Sequence, residues 1–180
     1  MIGPNALQPS RHSDNSPDYE RLFIPRVHRL IKLGYDCLDT PRYAAEEEPA
    51  ITGDLVEAID RVLDYPAEPW MRFYSIHDDP PENEPKEHDR KRRTGKRRRR
   101  VDVRFDWTET SPRTRFRFEC KRLNERSSQR RYLGPDGLGC FLTGDYGRDD
   151  PHAGMLAYVQ SDDEEIWANR IERLLSASPR

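Results

Sequence analysis

Long apolar runs are what this chain most plainly lacks. No window approaches the roughly 20 consecutive apolar residues that a membrane-spanning helix requires, and the stretch from Met1 to His12 has no apolar core of the kind a signal peptide carries. Cysteine is scarce too: Cys37, Cys120 and Cys140 are too few and too scattered for a disulfide framework or a Cys-x-x-Cys zinc site. These absences give the expectation of a soluble, cytoplasmic protein in a reducing compartment, with no membrane partner. Hydrophobic residues make up only 34% of the 180 while charged residues reach 36%, so the apolar material must be concentrated in a few short elements around one core. The formal net charge of -2 averages over a dense basic run and an acidic, proline-containing stretch beside it.

Residues 1–16 contain prolines, asparagines and serines without apolar periodicity and read as a flexible tail, leaving 17–180 as a single domain. A helix is expected from Pro17, with Phe23, Val27, Leu30 and Ile31 on one face and Gly34 as its stop. A second helix, capped by Thr52, would bury Leu55, Ile59 and Val62 or Leu63. Met71 to Ile76 suits a strand. The segment 78–100, with Pro80, Pro81 and Pro85 followed by a run of lysines and arginines, reads as a long exposed hairpin connection.

Beyond it the pattern sharpens. Val101, Val103, Phe105 and Trp107 alternate with Asp102, Arg104 and Asp106, and Phe116 and Phe118 alternate with Arg115, Arg117 and Glu119, which predicts two strands of a hairpin turning near Ser111-Pro112. Gly134 to Gly137 reads as a turn, Leu138 to Leu142 as a short helix, Gly154 to Val159 as a buried strand, and Ser161 as the cap of a last helix carrying Ile166, Ile171, Leu174 and Leu175. The order of elements implies an α/β sandwich around a mixed sheet. The glycines at 134–139 lack a Walker lysine, which excludes a phosphate-binding loop, and the tryptophans Trp70, Trp107 and Trp167 read as core anchors.

Glu119-Cys120-Lys121 puts an acid and an amine two residues apart on one strand face, separated by roughly 7 Å of rise. Glu84-Pro85-Lys86 and Asp89-Arg90-Lys91 match the same short pattern but fall in the polar connection, whereas Glu119 follows an aromatic strand and pairs through a hairpin with the strand bearing Asp102 and Asp106. The alternative reading of Asp102, Glu119 and Lys121 is a cross-strand ion-pair ladder on a solvated face. Among the histidines only His77, followed by Asp78 and Asp79, stands beside a carboxylate cluster, and a strand-end histidine facing solvent is the simpler reading.

Arg-Val-Asp-Val-Arg-Phe at 100–105 followed by Phe-Glu-Cys-Lys-Arg-Leu at 118–123 resembles the acidic strand and the Glu-x-Lys strand of PD-(D/E)XK nucleases. The resemblance spans about Ile51 to Val159 and implies a restriction-endonuclease-like mixed β-sheet flanked by helices, with a helix-strand-strand-strand-helix-strand core and an added N-terminal helix. Gln129 and Tyr132 are only three apart, which departs from the exonuclease-type Gln-x-x-x-Tyr signature. The implied activity is divalent-metal-dependent hydrolysis of phosphodiester bonds, of DNA, in a setting such as restriction or phage defence. The implied cofactor is Mg2+ or Mn2+, held by Asp102, Glu119 and the backbone carbonyl of Cys120, with Lys121 beside them and Glu57 or Glu48 acting through water. Magnesium takes oxygen ligands and as few as one or two protein carboxylates, which these residues satisfy. Arg97, Arg98, Arg99, Arg100 and Arg122 are the expected nucleic-acid-binding residues, because clustered arginines neutralise phosphates without reading sequence; a solvated loop offset by Glu82, Glu84, Glu87 and Asp89 is the alternative. With no evident target-reading module, a protein partner or a homodimer is expected to direct the site. The rival function is a non-catalytic nucleic-acid-binding or assembly subunit on the same fold.

Overall fold

The computed structural model describes residues 19–81, 100–110, 113–125, 127–144, 147, 150 and 152–177. The tail at 1–16, the turn at Ser111-Pro112 and the basic run through Arg99 lie outside the described residues. After a π-helical turn at Tyr19–Phe23 come α1 (Ile24–Tyr35), a 3-10 segment (Thr40–Ala45), α2 (Glu48–Asp64), β1 (Tyr74–Asp78), β2 (Val103–Trp107), β3 (Thr114–Leu123), the short helices α3 (Ser128–Leu133) and α4 (Leu138–Leu142), β4 (Gly154–Val159) and α5 (Glu164–Ala177). The four strands form one mixed sheet in the order β1-β2-β3-β4. The first three make an antiparallel meander, and β4 runs parallel to β3.

The alternation of residue types places the core. Tyr74, Ile76, Val103, Phe105, Phe116 and Phe118 share one sheet face in register and pack against Phe23, Val27 and Leu30 beside α1 and Leu55 and Ile59 of α2. The other sheet face carries the polar half of the same alternation. Asp106, Arg117 and Glu119 are nonetheless buried there, so each needs a charged or hydrogen-bonding partner. Asp106 accepts from Arg104 at 2.8 Å and lies 3.5 Å from His77, while Arg117 is paired with Asp150.

Several local expectations are corrected. The second helix begins at Glu48 rather than at a Thr52 cap, because Pro49 sits in the first turn, where its fixed φ and missing N–H suit a helix start. Thr52 lies inside the helix and turns its hydroxyl back to the carbonyl of Glu48 at 2.8 Å. Strand β1 starts at Tyr74, after a 3-10 turn at Met71–Phe73. Strand β4 is half-buried at Gly154, Met155, Leu156 and Tyr158 and exposed at Ala157 and Val159 instead of being buried, since it is a sheet edge. The last helix is capped by Asp163, whose carboxylate accepts the Ile166 N–H at 2.8 Å, and Ser161 instead gives its carbonyl to the Trp167 indole. Of its expected stripe, Ile166, Leu174 and Leu175 are exposed, and Trp167 is the buried residue.

Gly34 does more than end α1. It lies within the helix, and a Cβ there would stand 2.3 Å from Cγ1 of Ile59, so its missing side chain permits the close approach of α1 to α2. Alanine is the better helix former by about 1 kcal/mol, yet Gly34→Ala is expected to destabilise the fold by roughly 1–3 kcal/mol through overpacking. A urea midpoint equal to or above that of the wild type contradicts this role.

Candidate active site at the parting of two strands

Strand β3 changes partners along its length. Residues 114–118 pair with β2, residues 118–123 pair with β4, and the ladder with β2 ends at Val103 opposite Phe118. Beyond that point β2 stays with β1: the Asp102 carbonyl accepts the Asp79 N–H at 2.9 Å, and an isolated antiparallel bridge joins Pro81 to Arg100. The edge of β3 that β2 has left keeps its backbone donors and acceptors, and buried groups of this kind must find other partners.

Side chains take over that edge. The Asp102 carboxylate accepts the Cys120 N–H at 2.7 Å, and Glu48 Oε2 accepts the Arg122 N–H at 3.2 Å. The Lys121 ammonium donates to the Cys120 carbonyl at 2.7 Å. In the same place Lys121 Nζ lies 2.8 Å from Glu119 Oε1, 3.3 Å from Glu48 Oε1 and 3.8 Å from Asp102 Oδ2. Three carboxylates from α2, the start of β2 and β3 thus converge on one ammonium. Gln160 supports the arrangement from the end of β4, donating to the carbonyls of Tyr43 and Glu46 at 2.7 and 2.8 Å and fixing the chain that leads into Glu48.

The convergence unbalances the charge: three carboxylates surround one amine. Burial raises the Glu119 carboxyl from its ordinary value to about 7 against the hydrogen bond from Lys121, with the charges of Asp102 and Glu48 adding to the rise. Burial also raises Asp102, opposed by the Cys120 N–H and Lys121. For Lys121 burial acts the other way, but Glu119, Glu48 and Asp102 outweigh it and hold the amine protonated. Burial, with the charges of Asp102 and Glu48 adding to it, thus keeps the proton on Glu119, while the three carboxylates keep one on Lys121. Among the described residues Glu119 Oε2 is buried without a hydrogen-bond partner.

Asp102, Glu119, Lys121 and the Cys120 backbone, all expected in the site, are brought together. Glu57 is not. It lies nine residues beyond Glu48, two and a half helical turns, and so on the opposite side of α2, exposed and paired with Arg61 at 2.8 Å. Glu48 holds the place that sequence reasoning left between the two glutamates. The signal that could have decided it was Pro49, which sets the helix start and hence the phase. Asp106 lies four residues along from Asp102, roughly 13 Å away, within its own cluster of Arg104, His77 and Arg115. Burial lowers the His77 pKa, more than Asp106 raises it. Among the described residues no group of three or more His, Cys, Asp or Glu side chains, the Glu48, Asp102 and Glu119 cluster around Lys121 included, is placed as it stands to hold a metal ion. Of the expected nucleic-acid contacts, Arg97, Arg98 and Arg99 fall outside the described residues. Arg100 is exposed and bonded to Asp79 at 2.5 Å. Arg122 is largely committed to Glu47 at 2.6 Å and to the Glu46 carbonyl at 3.0 Å, a structural tie between β3 and the start of α2.

The chemistry of the donor set fits a small divalent cation. Its groups are carboxylate and carbonyl oxygens, magnesium needs only one or two protein carboxylates, Glu119 Oε2 has no hydrogen-bond partner among the described residues, and a bound cation would favour loss of the proton that Glu119 keeps without one. Compared with protein-family models, with curated proteins and with solved structures, the chain matches none. No helix among the described residues is long and apolar enough to cross a membrane.

The raised Glu119 carboxyl sets a pH dependence. In the unfolded chain the group ionises near 4.5, in the fold near 7, so over that interval the native state binds more protons and stability falls as pH rises. Denaturation in chelator is expected to show full Glu119-linked stability below about pH 4.5 and its loss through about pH 7, and Glu119→Gln is expected to flatten that decline. An identical slope in the variant contradicts the assignment.

Proposed function

We propose that the chain is a divalent-metal-dependent nuclease of the PD-(D/E)XK kind, hydrolysing phosphodiester bonds of DNA. The observation that carries this reading is the meeting of Asp102, Glu119, Glu48 and Lys121 at the point where β2 parts from β3. The order α2, β1, β2, β3, α3, α4, β4 supports it, following the helix-strand-strand-strand-helix-strand sequence of such a core with two short helices before β4 in place of one. A solvated ion-pair ladder fits less well: Glu119 is buried, and Asp102 caps a backbone group instead of sitting in the ladder.

In this reading Asp102 and Glu119, with the Cys120 carbonyl, would hold Mg2+ or Mn2+, and Glu48 would act beside them. A bound divalent ion supplies Lewis acidity at the phosphate and a more acidic water. Lys121, held protonated by its neighbours, serves as a hydrogen-bond donor to a phosphate oxygen and not as the base. Asp102 has a second task, because its hold on the Cys120 N–H fixes the β3 backbone from which Glu119 and Lys121 project.

Incubation of the purified chain with supercoiled plasmid tests the reading. Cleavage is expected to require Mg2+ or Mn2+, to stop with chelator, and to fall by about two orders of magnitude or more in Glu119→Ala and Lys121→Ala. Glu48→Gln is expected to lower the rate by roughly 10- to 100-fold, as for residues that orient a metal's ligands, while Glu57→Gln cleaves like the wild type. Undiminished cleavage in both alanine variants rejects the assignment. Salt-sensitive DNA binding without cleavage, unaffected by either alanine variant, points instead to a non-catalytic binding subunit.

A further inference from the structure

We infer that Tyr158 and Thr52 act as a positioning strut that fixes Glu48 at the site, through a closed ring of bonds linking β4, α2 and β3. The inference rests on the reading of Glu48 as part of the functional cluster. Tyr158 lies in β4 directly opposite Arg122 of β3, and its hydroxyl is 3.0 Å from Thr52 Oγ1; both hydroxyls also neighbour the Cys120 thiol, which points into the core away from that residue's amide contact with Asp102. Thr52 gives its one hydroxyl proton to the Glu48 carbonyl at 2.8 Å, so the proton between the two hydroxyls belongs to Tyr158. The chain of donors therefore runs from Tyr158 to Thr52 to the backbone of Glu48. From there the Glu48 carboxylate reaches the N–H of Arg122, the cross-strand partner of Tyr158, and the ring closes.

The geometry makes this more than packing. Glu48 opens α2, and the first turn of a helix is where intrahelical bonds are fewest and fraying is easiest. Pro49, following it, contributes no N–H. Glu48 thus needs an outside hold if its carboxylate is to remain over Lys121 and Arg122. Thr52 stands one turn further in and is buried; its backbone is tied into the helix, and its side chain passes that restraint forward to the residue that needs it. A phenylalanine at 158 would fill the same space against α2. What the hydroxyl adds is direction, since linked hydroxyls in a low-dielectric interior strengthen and orient one another.

Amide hydrogen exchange in the metal-free protein tests the strut without reference to catalysis. The probes are two amides on the same edge of β3: Arg122, bonded to Glu48, and Cys120, bonded to Asp102. Tyr158→Phe and Thr52→Val are each expected to lower the protection of the Arg122 amide by about five- to tenfold, the loss of one hydrogen bond's restraint, and to leave Cys120 unchanged. Thr52→Ser, which keeps the hydroxyl, restores protection to within about twofold. In a Glu48→Ala background, where the Arg122 N–H has lost its side-chain acceptor, Tyr158→Phe adds nothing further at Arg122. Unchanged protection at Arg122, or an equal fall at both amides, overturns the strut, the latter because it reports general loosening. Mn2+ titration of the same variants separates the two levels of argument. Selective loss at Arg122 in a protein that binds no Mn2+ keeps the strut and removes the metal-site reading. Intact Mn2+ binding with no selective loss keeps that reading and removes the strut.

Discussion

The fold depends at its functional end on a single substitution of partners: where β2 stops pairing with β3, the Asp102 carboxylate takes the Cys120 N–H that a neighbouring strand would have bonded. A carboxylate accepting a backbone N–H makes a stronger bond than a neutral carbonyl does. It also brings a charge, which the surroundings must answer. Lys121 answers part of it by folding back to the Cys120 carbonyl, and Glu48 takes the next free N–H along the same edge. The cluster can therefore be derived from the unsatisfied edge of one strand. Its net negative charge follows from satisfying that edge with acids, and burial, with these charges adding to it, raises the Glu119 carboxyl to about 7.

Burial gives the arrangement its sharpness. An exposed group of three acids and one amine would be screened by water and salt and held loosely. Here Glu119 is buried by the sheet's polar face, Cys120 lies within the apolar core on the other side, and the backbone between them is fixed by both. The Cys120 thiol is pushed up to about 12 by burial, so it stays a neutral core group. The residue contributes its main chain to the site and its side chain to the core. The same division holds for α2, where Leu55 and Ile59 anchor the helix on the sheet while its first residue supplies an acid.

Much of this was legible in the sequence because period-two alternation is a strong signal. The apolar residues of 101–107 and 116–118 mark both the strands and the face they bury, and the pairing of Val103 with Phe118 and Phe105 with Phe116 follows that pattern. The Glu119-x-Lys121 spacing on that strand and its nearness to Asp102 were readable for the same reason. Other features depended on details that alternation does not encode. Helix phase was lost by starting α2 at Thr52, four residues late, which left Glu57 as credible as Glu48 although the two face opposite sides. Strand β4 looked buried because Met155, Leu156, Ala157, Tyr158 and Val159 are apolar or aromatic, but its place at the sheet edge is a property of topology and leaves Val159 exposed. The partner switch along β3 is likewise tertiary, and no local pattern announces that one strand's ladder ends where another's begins.

The proposed activity requires that these oxygens hold a divalent cation. Calorimetric titration of Mn2+ into the metal-free protein near neutral pH, repeated in two buffers of different ionisation enthalpy, measures binding and proton release together. One ion is expected to bind with release of up to about one proton, because Glu119 still carries a proton there, and binding should be lost in Asp102→Asn and Glu119→Gln but kept in Glu57→Gln. A wild-type protein that takes up no ion, or an uptake that survives both site substitutions, would contradict it.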